Sequence, residues 1–583
     1  MRLPRLLGDS GLYVLGNVLR RGVSIITMPV FTRFLSPSGY GVLALVGSVH
    51  SLLEPLYALG MQGAATRLYY EAPDRPARRR LFGTLLFVLL SRAIPTTVLL
   101  LVLGPWLWST MVSDVPFTPY VLLTIAIAVF GTLGVLPRVI FRVEGQVPTF
   151  FRLSLAQTLL AATISVGLLI VGGWGPLAPI VGMLVAEAVF SAVYLRHLWP
   201  HLALVLDRPT ARRALKFGLP SIAVTIGLWA IKTSDRFLLQ HFTSLAVVGL
   251  YSAACSVSKI GLDLVGNAVN WAVVPFVYAT LKRVPEHRAK PTLARLATYN
   301  VAVLVALGLA TVLYARELIY VFASATFAEA ASVVPLVTVA SMIQMLNYIP
   351  SRGIGYREKT FYFPLIVGAG AAVSLSLNVA LIPTLGMHGA AIAALAGQAV
   401  CMALTIPISQ RLYPIPYEWG RLFRLFLAAA ATALVAWLLP DTWGIPYQAV
   451  KAALLLGFPG LLLVSGFFTD AEIRVAHLRV AAALRGLTRR EGRVGALAGL
   501  ARRLLAPLAL AVHLGQFVAG QAGGKSGSTV RERLREAWRI VETSRAAGLP
   551  RAWRRARTLG RAVAGTPVAA AVDPDGRPEE EIS

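Results

Sequence analysis

Long apolar runs constrain this chain more than any other feature. Residues 84–108 read TLLFVLLSRAIPTTVLLLVLGPWLW, 121–136 read VLLTIAIAVFGTLGVL, and 154–173 read SLAQTLLAATISVGLLIVGG. A helix needs about 20 apolar residues to cross a hydrocarbon core. The chain has 583 residues, of which 56% are hydrophobic and 14% charged, against roughly 25% charged in soluble domains. A single soluble core of this length and composition is excluded. The sequence reads as an all-α integral membrane protein of about fourteen transmembrane helices.

The spans fall near 11–34, 40–64, 82–108, 119–140, 151–172, 175–195, 216–240, 246–278, 293–314, 331–350, 362–383, 387–409, 423–439 and 447–468. The loops between them sort by charge. Those after even-numbered spans are basic, as in RLYYEAPDRPARRR and LKRVPEHRAKP, whereas those after odd-numbered spans, such as LSPSG, GGWG and PTLG, are short and nearly uncharged. Lys and Arg accumulate on the cytoplasmic side of a membrane, so the even loops and both termini are expected in the cytoplasm. The N-terminus MRLPRLLGDSGLYVLGNVLRRG is basic but lacks an A-x-A-like site, and the first span is expected to stay in place. The net charge of +28 is mostly loop asymmetry and tail, and points to membrane lipid and not to nucleic acid.

An internal echo organises the spans further. TRFLSPSGYGVLALVGSV (32–49) resembles DRFLLQHFTSLAVVGLYSAACSV (235–257), and the offset from Arg33 to Arg236 covers six spans. An even number of spans preserves orientation, so two parallel six-helix halves related by an axis along the membrane normal are expected. The boundaries are 8–200 for the first half, 210–412 for the second, 420–468 for two additional helices, and 469–583 for a basic cytoplasmic tail. In the tail, 496–520 reads as an interfacial helix interrupted by Arg502, Arg503 and Pro507, and STVRERLREAWRIVETSRAAGLP as a second helix. Such a segment can rest on anionic lipid or extend into solvent.

No catalytic constellation is present. The eight histidines are scattered, and the sequence has no P-loop, G-x-S-x-G, H-E-x-x-H or paired-cysteine zinc spacing. Cys255 and Cys401 both lie in apolar spans. No cofactor is implied, and Glu54, Glu187 and Asp263 carry no motif of their own. Polar residues at helical spacing inside spans are the positive signal. Ser252, Ser256, Lys259, Asp263, Asn267 and Asn270 recur every three or four residues, which places them on one helix face with a Lys-to-Asp pair one turn apart. A second stripe is Ser221, Thr225, Trp229, Lys232 and Arg236, with Asp235 beside it. A third is Ser10, Asn17, Arg21 and Ser24, with Arg20 adjacent. Ser341, Gln344, Tyr348 and Ser351 form a fourth, with Asn347 close by.

Ionisable groups inside a bilayer cost roughly 2.5–3.5 kcal/mol each on insertion scales and mostly face a protein interior or a watery cavity. The expected cavity residues are therefore Arg20, Arg21, Lys232, Arg236, Lys259, Asn267 and Asn270. Each has a plainer reading: Arg33 and Arg236 can snorkel at span ends, and Lys259 with Asp263 can be a structural ion pair.

LNVALIPTLGMHGAAIAALAGQAV (377–400) is similar to a signature of polysaccharide flippases, carried here by Leu377, Asn378, Leu381, Ile382, Pro383, Gly386, Gly389, Ala390 and Ala391. SDRFLLQHFTSLAVVGLYSAA and FTRFLSPSGYGVLAL resemble further motifs of the same proteins. Over roughly residues 8–470 the chain resembles Wzx-type oligosaccharide flippases of the MATE-like exporter superfamily. The basic tail departs from their short terminus.

The resemblance implies movement of an undecaprenyl-diphosphate-linked oligosaccharide across the bacterial inner membrane by alternating access. A polysaccharide polymerase and glycosyltransferases would be partners. Coupling to a proton or sodium gradient would fall to Asp235 or Asp263. Two rivals stand beside this reading. A cation-coupled small-molecule exporter of the same superfamily would favour acidic or aromatic linings. A membrane glycosyltransferase or polymerase would need acidic catalytic residues on a sizeable outer loop, and these outer loops are short and neutral.

Overall fold

The computed structural model describes residues 3–266, 285–438, 445–469 and 472. Its elements are helical: α1 Leu3–Phe34, α2 Pro37–Ala58, α3 Met61–Glu71, α4 Arg75–Met111, α5 Tyr120–Leu133, α6 Val135–Val143, α7 Val147–Ile170, α8 Leu177–Leu198 and α9 Arg208–Phe242. They continue with α10 Leu245–Gly261, α11 Glu286–Leu313, α12 Ala315–Ala323, α13 Val334–Leu346, α14 Tyr348–Tyr356, α15 Tyr362–Leu385, α16 Met387–Leu412, α17 Trp419–Leu438 and α18 Ile445–Val464. A π turn, Leu262–Gly266, extends α10. Two 3-10 segments, Trp199–His201 and Ala325–Ser332, complete the set. Residues through Phe458 form one compact unit, and Pro459–Ser583 form another. The first carries everything that follows. The expected tail, 469–583, lies outside the described residues apart from Thr469 and Glu472.

Among the described residues twelve helices are long and apolar enough to cross a membrane. A thirteenth arises if Ala325–Ser332 and Val334–Tyr356, bent by 61°, count as one span. Fourteen were expected. The remaining one, 11–34, is continuous helix within α1 but is not among the twelve. Apolar side chains face outward in rows, as Ile94, Val98, Val102 and Trp106 do on α4. Such a patch is costly in water and suits a hydrocarbon solvent.

Two pairs of helix junctions share their hydrogen-bond patterns. α2 and α10 each start from a serine N-cap, Ser36 accepting from the Gly39 N–H and Ser244 from the Val247 N–H. These caps are 208 residues apart. Beyond them the two helices meet reciprocally. A Cβ on Gly41 would collide with the Leu245 carbonyl oxygen, and a Cβ on Gly249 with that of Pro37. Gly41 and Gly249 share the 208 offset, as do Pro37 and Leu245, so the contact has a local two-fold character. Only glycine lets the backbones come this close.

A second correspondence runs at an offset of 213. α5 and α6 are separated at Gly134, and α13 and α14 at Asn347. Pro137 and Pro350 follow at the same distance, each removing the N–H that would have continued the ladder. Both short helices end in a left-handed residue, Gly145 (φ 71°) and Glu358 (φ 57°). Both close with matching bonds, Gln146 N–H to Phe141 O at 2.8 Å and Lys359 N–H to Ile354 O at 3.2 Å. Arg33 and Arg236 are 203 residues apart, short of both offsets. Arg33 lies in the last turn of α1, whereas α9 continues six residues beyond Arg236 to Phe242.

At the end carrying the short loops, the two sets of helices are tied together. Thr32 Oγ1 donates to Phe322 O at 3.1 Å, Ser324 Oγ donates to Thr32 O at 3.2 Å, and Gln240 Nε2 donates to Asp114 Oδ2 at 2.8 Å. Trp108 packs edge-on against Phe237. The flippase-like stretch 377–400 is the α15–α16 hairpin, turning at Gly386 (φ 55°).

α18 attaches through a buried pair. Lys451 Nζ and Gln448 Nε2 each donate to Glu317 Oε1 of α12 at 2.7 Å. Burial alone would raise the Glu317 pKa, but the hydrogen bonds from Lys451 and Gln448 outweigh it and hold the carboxyl below its ordinary range. A depressed carboxyl contributes stability above its unfolded pKa, about 4.3, and loses that contribution as pH falls through the folded value. Melting of the purified protein should show this acid loss. Glu317→Gln should remove it while lowering stability at neutral pH by on the order of 3 kcal/mol, because Lys451 is left buried without its counter-charge.

Candidate functional site

The structure gathers the ionisable residues of the bundle interior into two groups and a buried pair. Asp263 lies in the π turn after α10, and Arg21 Nη2 of α1 meets its Oδ2 at 2.8 Å. Lys232 of α9 and Lys259 of α10 are in electrostatic range of each other, and Lys232 also feels Asp263. Lys232 is surrounded by protein yet open to solvent, as a side chain on a cavity wall would be. Among the described residues of this group, three cations face one carboxylate. The neighbouring α14 adds Tyr348, which lies within range of Asp263 and Arg352.

One expected pairing is corrected. Lys259 and Asp263 form no ion pair within 4.0 Å; Asp263, in the π turn, meets Arg21 instead.

Asp235 and Arg236 form the buried pair. Asp235 is 3% exposed and accepts from Tyr251 Oη at 2.6 Å. Arg236 Nη1 lies 3.8 Å from Asp235 Oδ1, its Nε donates to Ser252 Oγ at 3.1 Å, and its Nη1 donates to Lys232 O at 3.1 Å. The Arg236 side chain is 12% exposed, so it does not snorkel to a headgroup layer.

Asp235 Oδ1 nonetheless lacks a hydrogen bond among the described residues, as do Ser374 Oγ and Asn378 Oδ1. α9 and α15 run in the same direction, since Gly227 abuts Val367 and Gly370 abuts Ile231. Asn267 and Asn270, expected on the cavity face, lie outside the described residues.

The second group sits among α1, α2, α6, α7 and α8. Arg138 Nη2 meets Glu187 Oε1 at 3.0 Å, Gln157 Nε2 donates to Glu187 Oε2, and Tyr194 Oη donates to Gln157 Oε1 at 3.1 Å. The Arg138 guanidinium lies over the Tyr194 ring, 5.3 Å from its centroid. Two glycines clear the space. A Cβ on Gly134 would come within 2.7 Å of Arg138 Nη2, and one on Gly131 within 3.3 Å of Glu187 Oε1. Arg20 is in electrostatic range of Arg138, Tyr194 and Glu54, and Glu54 also of Glu187 and His50. Arg20 and Glu54 are exposed and form no ion pair within 4.0 Å among the described residues. Arg138, Gln157 and Tyr194 were missed in the sequence. The signal that could have exposed Arg138 is the repeat of VLPR (135–138) as YIPSR (348–352), a proline after a helix break with a cation close behind.

No group of three or more His, Cys, Asp or Glu residues suited to a metal ion occurs among the described residues.

The helical arrangement is similar to those of several solved structures. Lipid II flippase MurJ in an inward closed conformation aligns at a TM-score of 0.64 with 12% identity, covering 77% of this chain and 98% of MurJ. An inward-facing multidrug resistance MATE family transporter aligns at 0.53 with 14% identity, covering 68% and 94%. A MOP superfamily transporter from Pyrococcus furiosus aligns at 0.51 with 14% identity, covering 69% and 95%. At these identities the likeness concerns fold. No curated protein matches the chain. Residues 6–281 match the family described as polysaccharide biosynthesis protein. That segment, just under half of the chain, is what is similar to this family.

Proposed function

We propose that this chain is a flippase that moves a polyprenyl-diphosphate-linked oligosaccharide from the cytoplasmic to the periplasmic leaflet of the inner membrane. The observation that carries this reading is the charge of the first group: Arg21, Lys232 and Lys259 face Asp263, while Asp235, also in range of Lys259, is matched by Arg236. An excess of solvent-reachable cations within a bundle suits a diphosphate, whose oxygens take charge-assisted hydrogen bonds from Arg and Lys. The same excess repels a cationic drug. That argues against the small-molecule exporter, which the MATE-like fold would otherwise accommodate equally well.

The halves 8–200 and 210–412 would rock against each other about the Gly41–Gly249 contact, with 420–468 as additions and both termini in the cytoplasm. The reciprocal glycines and the 208–213 offset support a parallel repeat of this kind. A polymerase and glycosyltransferases would act on and supply the cargo. Ion coupling is assigned to Asp235. Its Oδ1 accepts no hydrogen bond among the described residues and lies 3.8 Å from Arg236 Nη1, which supports a proton-carrying role; Asp263, held by Arg21, is the second candidate.

Depletion of the protein in living cells tests the reading. A polyprenyl-diphosphate-linked saccharide should accumulate on the cytoplasmic leaflet while surface polysaccharide falls. Normal surface polysaccharide together with raised sensitivity to lipophilic cations would favour the exporter.

A further inference from the structure

The two charge groups differ in balance. On the side of α9 and α10, three cations meet one carboxylate. On the side of α2, α6 and α8, Arg20 and Arg138 meet Glu54 and Glu187, two against two, with Gln157, Tyr194 and His50 among them. A group without net charge has little to offer a diphosphate. Its chemistry is that of paired donors and acceptors on planar, rigid side chains.

Sugar hydroxyls both donate and accept. A carboxylate accepts from two of them, while guanidinium and carboxamide groups donate to their oxygens. Arg138 commits Nη2 to Glu187 and retains further donors. Glu54 and His50, four residues apart on one face of α2, are respectively exposed and half-buried. The chain Tyr194–Gln157–Glu187–Arg138 fixes these groups in place before any ligand arrives, which reduces the ordering cost of binding. A neutral polyol can enter such a group without breaking its charge balance.

We propose that this balanced group is a saccharide site, taking the uncharged sugars nearest the lipid link while the cation-rich group takes the diphosphate. The assignment rests on the flippase reading and divides the substrate between the two sides of the interior. Arg20 and Arg21, adjacent on α1, stand between the two groups, Arg21 joined to Asp263 and Arg20 facing Arg138 and Glu54. The junction of sugar and phosphate would therefore lie against this turn of α1.

The test compares two probes on the purified full-length protein in detergent, with binding followed by thermophoresis. One probe is farnesyl diphosphate, which has the link but no sugar. The other is the pool of polyprenyl-diphosphate-linked saccharides extracted from cells depleted of this protein. Glu187→Gln should weaken binding of the saccharide pool about tenfold and leave farnesyl diphosphate within twofold of wild type. Glu54→Gln, at an exposed position that does not jeopardise folding, should show the same selectivity at about threefold. Equal loss for both probes, or no loss for either with both variants folded, overturns the saccharide site and leaves the flippase reading standing. Failure of the wild-type protein to bind either probe overturns both.

Discussion

Gly249→Ala should cost the protein on the order of 1–3 kcal/mol, the usual range for overpacking, and most of its transport. The added Cβ would meet the carbonyl oxygen of Pro37, and Gly41→Ala would meet that of Leu245. Neither obstacle is a flexible side chain that can swing aside; each is backbone in the first turn of a helix. The only relief is separation of α2 from α10, which undoes the packing of the buried residues around them, Val42, Leu45, Val248 and Leu250. Because the two collisions belong to one contact, their costs should not add. Once the first alanine has parted the helices, the second finds space, and the double variant should melt only slightly below either single one. Melting in detergent and transport in cells both read this. Wild-type stability and transport in both single variants would show that the backbones do not meet as described. Additive losses would assign the two glycines to separate contacts.

The positions of the spans could be read from the sequence because apolar runs and loop charge are local properties. All fourteen expected spans coincide at least in part with helices, although only twelve or thirteen meet the requirements of length and apolarity. Arg21, Lys232, Lys259 and Asp263 could also be singled out, since a charge in an apolar span is conspicuous. Their partners could not. Asp263 lies one α-helical turn from Lys259 in sequence, yet in the fold it meets Arg21 of α1 from within a π turn that no local preference announces. Arg236 reads as a span terminus because it lies four residues before the expected span end at 240; in the fold it is an interior residue bonded to Ser252. The second group was harder still. Glu54 and Glu187 have no motif, and Arg138 resembles any arginine after a proline until Gly131 and Gly134 are seen clearing space for it. The repeat was recognised at a loose match, Arg33 with Arg236. The structurally aligned pairs, Ser36 with Ser244 and Pro137 with Pro350, are single residues whose significance comes from hydrogen bonds that sequence does not display.

Replacing Lys232 and Lys259 together by alanine should remove most of the affinity for farnesyl diphosphate. A hydrogen bond to a charged group contributes about 1.5–3 kcal/mol, so losing two would weaken binding by roughly 10²- to 10⁴-fold. The two lysines are close enough to repel each other, and an anion between them relieves that repulsion as well as forming the contacts. Each single variant should therefore lose more than half of the total in free energy, since removing one lysine already abolishes the repulsion that binding would relieve. Arg21→Ala should do at least as much as either single lysine variant, because it also frees Asp263 as an uncompensated carboxylate beside the phosphate. A lipophilic cation such as tetraphenylphosphonium gives the opposite expectation. Its binding should be undetectable in the wild type and rise when both lysines are gone and Asp263 dominates the local field. Wild-type protein that binds the cation tightly and ignores farnesyl diphosphate would reverse the assignment of this interior from anion to cation.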